Sequence, residues 1–214
     1  LSDSNKKSKE YKRNLKLNQN LKEIMVGLLL GDGNMQTFSS SGTTRLRLLQ
    51  GGDNHFEYIK HLRLLFDDTV MDLAENHEKN KLGQLYKKYF NTLSFEQFAE
   101  IGNGFYRLDI ESNKRKKILP ILLKDITELS LAYFMDDGSY KKDKILAIRF
   151  CTDNFSELEI DILISIMKDK FDLDVSKTVN KNNKRLYVGT KNYDKIKEII
   201  YPHLIPSMRY KFPK

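Results

Sequence analysis

One pattern occurs twice in this chain, and the duplication limits the possible folds more than any other feature. Residues 21–33 read LKEIMVGLLLGDG and residues 126–138 read ITELSLAYFMDDG. Both segments are largely apolar, of helical length, and end in Asp-Gly. Five positions before each Asp stands a small residue, Gly27 or Ala132. The two aspartates, Asp32 and Asp137, lie 105 positions apart, about half of the 214-residue chain.

The flanking sequence repeats as well. After Asp32 a polar stretch leads to a strand-like run, Thr44–Leu49, and Asp53-Asn54 is expected to cap a helix ending near Phe66-Asp67. After Asp137 the equivalents are Ile145–Phe150, then Asp153-Asn154 capping a helix that ends near Phe171-Asp172. Each half then predicts two strands and a helix, near 69–75, 84–92 and 94–101 in the first and near 173–179, 185–190 and 191–201 in the second, with polar turns at 77–81 and 180–184. Each half closes on a lysine shortly before a proline, Lys117 before Pro120 and Lys211 before Pro213. The order is αββαββα, twice, an α+β class with antiparallel sheets covered on one face. The expected divisions are a basic arm at 1–20 and half-domains at 21–122 and 123–214.

Composition removes several classes. Cys151 is the only cysteine, so no internal disulfide framework is possible and no zinc-finger spacing exists. The longest apolar run near the start, Ile24–Leu30, is far shorter than the roughly 20 residues a membrane helix needs. No apolar stretch precedes a cleavage site at the N-terminus, so no secretory signal is expected, and a first residue Leu1 in place of Met predicts a trimmed or processed form. The net charge is +8, which suits a polyanionic partner. Residues 1–22 carry seven Lys and Arg against two acidic residues, so five of those eight charges sit in the first tenth of the chain. His55, His61, His77 and His203 lack metal-ligand spacing, and no Gly-rich phosphate loop follows a strand.

The repeated helix ends carry the chemistry. Gly33 and Gly138 suit helix ends with positive φ. The Asp before each glycine does not, because the free carbonyls of a last helical turn disfavour a carboxylate there by about 0.3–1 kcal/mol. Two such aspartates at matching places call for a divalent cation, for which carboxylates and carbonyls are fitting hard ligands. If the helices pack side by side, Asp32 and Asp137 meet at one end and form a site for phosphodiester hydrolysis. Gly27 and Gly31 share one helix face and Ala132 lies at the equivalent face of the other helix, so the backbones can approach closely. In the strands, Arg45 and Arg47 alternate with leucines, and Lys87, Tyr89 and Asn91 alternate likewise, as do Arg185, Tyr187 and Gly189.

Residues 27–33, GLLLGDG, and 131–138, LAYFMDDG, resemble the two motifs of a single-chain LAGLIDADG homing endonuclease, and Leu204–Pro213 resembles the tail of the yeast mitochondrial members. The resemblance implies two half-domains related by a pseudo-twofold axis, with saddle-shaped sheets over the DNA major groove. It implies Asp32 and Asp137 as catalytic metal ligands, the carbonyls of Gly31 and Asp136 as further ligands, and Lys117 and Lys211 as basic residues that support the reaction by neutralising charge on the phosphate or polarising attacking water. Asp136 departs from the usual small residue at its position. Arg45, Arg47, Gln50, Lys87, Tyr89, Asn91, Arg149, Lys177, Arg185 and Tyr187 are the candidate DNA contacts. The implied cofactor is Mg2+, with Mn2+ or Ca2+ able to replace it for binding. The implied partner is a long, asymmetric double-stranded DNA site bound by a monomer, with no membrane. The implied origin is an intron in a mitochondrial or other organellar genome. An RNA-splicing maturase, with intron RNA as partner, or a non-cleaving DNA-binding protein on the same fold stays open as the alternative.

Overall fold

The computed structural model describes residues 10–212 except 13, 38–43, 52–54, 70–75, 80–84, 95, 121–122, 124–125, 141–145 and 181–182. The chain divides into two compact units. The first unit comprises Leu1–Lys22 and Gly33–Gly102, and the second comprises Glu23–Asp32 and Asn103–Lys214. Helix α1 (Gln19–Leu30) thus enters the second unit from Glu23 onward.

The first unit holds β1 (Asn34–Thr37), β2 (Thr44–Gly51), α2 (Phe56–Leu65), β3 (Asn76–Lys79), β4 (Leu85–Asn91) and most of α3 (Glu96–Gly104). Its sheet is antiparallel in the order β1-β2-β4-β3. Strict alternation of buried and part-exposed residues along Thr44–Gln50 sends Leu46 and Leu48 into the core and Arg45 and Arg47 to the other face. Helix α2 covers the core face through Tyr58, Ile59 and Leu62, and Phe66 meets Phe90 beneath it. The first half departs from the sequence reading at 69–75. Asp67–Thr69 forms a 3-10 turn, closed by the Thr69 hydroxyl donating to the Phe66 carbonyl at 2.7 Å, and the remainder lies outside the described residues. The expected cap at Asp53-Asn54 and the turn residues 80–81 also lie outside them.

In the second unit, β5 (Tyr106–Asp109) and β6 (Lys114–Lys117) form a hairpin that the repeat did not predict. The duplicated order then resumes with α4 (Glu128–Phe134), a 3-10 turn at Met135–Asp137, β7 (Ser139–Tyr140), β8 (Ile148–Phe150), α5 (Glu157–Phe171), β9 (Val175–Asn180), β10 (Asn183–Val188) and α6 (Tyr193–Ile200). A 3-10 segment at Pro206–Lys211 follows. The sheet is again antiparallel, in the equivalent order β7-β8-β10-β9, with α5 packed on β9 and β10. Two caps differ from expectation. Ser156, not Asp153, caps α5, in a reciprocal capping box with Glu159. Gly138 has φ −87° and an extended ψ, so it is not a left-handed cap; a Cβ there would instead strike the Met135 sulfur and the Arg149 carbonyl oxygen.

Two helices cross at the centre of the second unit. At one end the Thr127 hydroxyl caps α4 and donates to Glu23 Oε2 at 2.8 Å. In the middle, Gly27 lies so near α4 that a Cβ would overlap the Ser130 carbonyl oxygen and press on the Tyr133 Cβ. At the far end a Cβ on Gly31 would overlap Asp136 Oδ1. The close approach falls on Ser130 and Tyr133, while Ala132 is buried beside them. Leu28, Leu29, Leu30, Phe134 and Met135 fill the surrounding core, and Phe134 packs against Phe150 with ring centroids 4.8 Å apart.

Gly27→Ala therefore destabilises the chain by about 1–3 kcal/mol through overpacking against backbone that cannot yield. Gly104→Ala, whose new Cβ meets only Pro120 at 3.6 Å, is neutral or stabilising by up to about 1 kcal/mol. Urea unfolding of the two variants reads this difference in sign.

Candidate active site

The crossing delivers Asp32 and Asp137 to one place. Asp32 follows the last turn of α1 and is exposed, whereas Asp137 ends the 3-10 turn after α4 and is half-buried. Burial pushes the Asp137 carboxyl up to about 6, and the charge of Asp32 is the next cause. Two carboxylates within mutual influence resist joint ionisation.

Lys117 and Lys211 occupy equivalent positions around them. The Lys117 ammonium, at the end of β6, donates to the Gly31 carbonyl at 2.7 Å. The Lys211 ammonium donates to the Asp136 carbonyl at 2.7 Å, and also to Met135 O at 2.9 Å and Gly138 O at 2.7 Å. Each lysine thus holds the carbonyl one residue before a motif aspartate. Burial lowers Lys117 to about 8, against the opposing pull of Asp136, Asp32 and Asp137. Burial also lowers Lys211, which is only 3% exposed. An ammonium has three donors, and Lys211 directs all three at carbonyls of the turn that follows α4. Its hydrogen bonds make it a backbone clamp around the turn that carries Asp137.

Asp136 is buried, and neither of its side-chain oxygens has a hydrogen-bond partner. Desolvation and then the Asp32 charge raise its carboxyl well above the usual range. The resemblance implies a role for its carbonyl and none for its side chain, which packs over the bare Gly31 Cα. Among the described residues no group of three or more His, Cys, Asp or Glu is arranged to hold a metal ion.

Two further contacts escaped the sequence reading. Cys151, just past β8, shares a side-chain hydrogen bond with Asp137, and burial followed by the Asp137 charge pushes the thiol up to about 12. Arg185 forms a two-pronged ion pair with Asp153, at 2.8 Å from Nε and 2.6 Å from a terminal nitrogen. The Asp153-Asn154 pair looked like a helix cap, and the Asp-to-Arg pairing has no signature in linear spacing.

The candidate DNA contacts divide by sheet face. In the first sheet, Arg47 lies opposite Asn91 and 4.6 Å from the Tyr89 ring, and Arg45 Nε donates to Gln36 Oε1 at 3.0 Å. In the second, Arg149 lies opposite Tyr187, and Arg185 is two residues from Tyr187 on the same face. These residues form the faces turned from the helices. Gln50 does not: strand alternation puts it in the core row with Leu46 and Leu48. Lys177 does not either, because it pairs opposite core Leu186 and bonds Asp161 at 2.6 Å and Glu157 at 3.3 Å on the covering helix. Lys87 pairs with Gly51 in β4, and its side chain lies outside the described residues.

The pattern of the LAGLIDADG DNA endonuclease family matches residues 22–196 of this sequence. The chain belongs to that family. Among its LAGLIDADG relatives, a probable intron-encoded endonuclease 1 of Wickerhamomyces canadensis is 33% identical, with 99% of this chain and 92% of the relative aligned. DNA endonuclease I-ChuI of Chlamydomonas applanata is 29% identical over 92% of this chain and 96% of its own. Cytochrome b mRNA maturase bI2 of Saccharomyces cerevisiae is 28% identical over 91% of this chain, which spans 48% of that protein. In three dimensions the chain is similar to the homing endonuclease I-WcaI bound to its DNA recognition sequence, with TM-score 0.83, 30% identity and coverage of 100% and 95%.

The raised Asp137 carboxyl has a stability consequence with a definite sign. The folded state holds this proton more tightly than the unfolded state, so the contribution is fully present below the ordinary carboxylate value of 3.8 and is lost as pH rises through about 6. Without divalent cation, the melting temperature of the parent should fall relative to that of Asp137→Asn as pH rises from about 4 to about 6. Parallel melting curves across that window would remove Asp137 as the source.

Proposed function

We propose that this chain is a site-specific homing endonuclease that hydrolyses both strands of a long DNA target, using divalent metal held by the paired motif ends. The observation that carries the reading is the matched arrangement at those ends. Each motif aspartate follows a carbonyl gripped by a lysine from the far end of its own half, and the two carboxylates influence each other. Its relatives named as endonucleases, and the I-WcaI complex with DNA, support the same reading.

The donor chemistry fits Mg2+. Asp32 and Asp137 would hold the cation, with the carbonyls of Gly31 and Asp136 as further ligands, since a carbonyl that accepts from lysine keeps a second lone pair. Two carboxylates with few other protein ligands suit Mg2+, which leaves positions for substrate phosphate and water. When bound, the cation supplies an activated water and a clamp on the scissile phosphate. The protein's own contribution is placement. The crossing fixes both carboxylates, Lys211 fixes the turn that carries Asp137, and Lys117 brings positive charge next to Asp32 and Asp137. Lys117 is the better candidate for a direct role on developing charge at the phosphate.

The sheet faces bearing Arg45, Arg47, Tyr89 and Asn91, and Arg149, Arg185 and Tyr187, supply the DNA surface in this reading. With both motifs on one chain, a monomer suffices and the target is asymmetric. The named relatives support an intron-encoded origin, and with it the organellar location that the resemblance implies. The maturase relative favours a second reading, in which intron RNA is bound through the same fold.

Incubation with a randomised duplex library and Mg2+, followed by sequencing of cut ends, tests the activity directly. One defined site should emerge, and none should be cut in EDTA. Asp32→Asn and Asp137→Asn should each retain DNA binding and lose double-strand cleavage by at least about a hundredfold. Normal cutting by either variant would remove the mechanism. Arg45→Ala with Arg47→Ala should lower the slope of log affinity against log salt by about 1–2; an unchanged slope moves both residues off the interface.

A further inference from the structure

The duplicated order does not account for the β5–β6 hairpin, which stands between the third helix of the first half and the second motif helix. We propose that this hairpin is a second DNA-binding element that grips the phosphate backbone beside the cut. The inference rests on the endonuclease reading and extends it to residues outside the two four-stranded sheets.

Three observations carry it. The first is charge. Residues 106–117 contain Arg107, Lys114, Arg115, Lys116 and Lys117 against Asp109 and Glu111. Arg107, Arg115 and Lys116 are all exposed. Arg107 lies directly opposite Lys116 in the ladder, and like charges directly opposite each other destabilise a strand pair.

The second is that the nearby acids offset this charge only in part, since Asp109, which feels Lys116, and Glu159 are two carboxylates near a hairpin with five cations. Asp109 accepts from the backbone of Glu111 at 3.0 Å and Ser112 at 3.1 Å, closing the turn in which Asn113 takes φ 51°. Glu159, whose carboxyl feels Arg107, accepts from Ser156 and from the Leu119 amide. A two-stranded ribbon has little stability of its own, so repulsion across it calls for a polyanion to offset it. Arg115 lies 4.6 Å from the Tyr106 ring centre, a stacking that sets the guanidinium on one face of the ribbon while Arg107 and Lys116 share the other.

The third is position. Lys117, the last residue of β6, is tied to the Gly31 carbonyl at 2.7 Å, so the base of the hairpin lies at the active site. Four residues of strand reach about 13 Å, which equals roughly four base steps along one DNA strand at about 3.4 Å each. An element rooted beside the scissile phosphate and carrying four exposed cations, Arg107, Lys114, Arg115 and Lys116, over that length lies within reach of the flanking phosphates. Its contacts are to backbone, so it adds affinity and positioning without reading sequence.

The test measures binding of a random-sequence duplex across a potassium chloride series. The parent is compared with Arg107→Ala/Arg115→Ala/Lys116→Ala. A control, Lys168→Ala/Lys170→Ala/Lys191→Ala, removes three exposed lysines from and beside α5, the helix on the covered side of the second sheet. The hairpin variant should lose about 2.7 from the salt slope, three contacts at roughly 0.9 each, and the control should keep the parental slope. The charge-preserving variant Arg107→Lys/Arg115→Lys/Lys116→Arg should also keep it. An unchanged slope in the alanine variant, an equal fall in the control, or the same loss in the charge-preserving variant overturns the proposal. So does a loss seen with a structured intron RNA and not with duplex DNA. A parent that fails to bind duplex DNA at all would instead sink the endonuclease reading, so the two failures are distinguishable.

Discussion

Everything at the candidate site depends on how closely two helix backbones approach at Gly27. Contact between a bare Cα and the Ser130 carbonyl is possible only without a side chain, and it sets the separation along the whole crossing. Widening the gap there would separate Asp32 from Asp137 and open the seam in which Asp136 is buried. The apolar residues around the crossing, from Leu28 to Met135, drive the helices together, but the missing side chain determines how far they can go.

The helix ends raise a second physical problem, which the lysines resolve. Free carbonyls and carboxylates converge where both helices stop, and negative potential accumulates there. Lys117 and Lys211 each bring a cation from the far end of their own half, 86 and 75 residues from the carbonyls they bond. Desolvation lowers both ammoniums and neighbouring carboxylates pull them back up, so the charges in the cluster depend on one another. The two ends are not equal: Lys211 secures a whole turn, while Lys117 has one carbonyl and faces both aspartates.

Much of this was legible in the sequence because duplication shows what a single copy hides. The αββαββα order, the motif aspartates, the distant lysines and the outward arginines of β2 all follow from repeated spacing and strand alternation. Where the register departs from the expected face or cap, the reasons are local. Gln50 and Lys177 are polar residues on core-facing rows, where polarity misleads unless the register is known. Asp153 looks like a cap by type, yet Ser156 has the Glu three residues later that completes the capping box. The β5–β6 hairpin was hidden because it has no second copy to compare. The burial of Lys211 depends on tertiary packing that no linear pattern encodes.

The side chain of Asp136 sits over Gly31, and this makes the two motif helices non-interchangeable. Two copies of the first half would leave a hollow where that carboxyl packs. Two copies of the second would force a pair of buried acids into the same volume. That one mismatched position gives each motif helix a surface shaped for the other and not for a copy of itself.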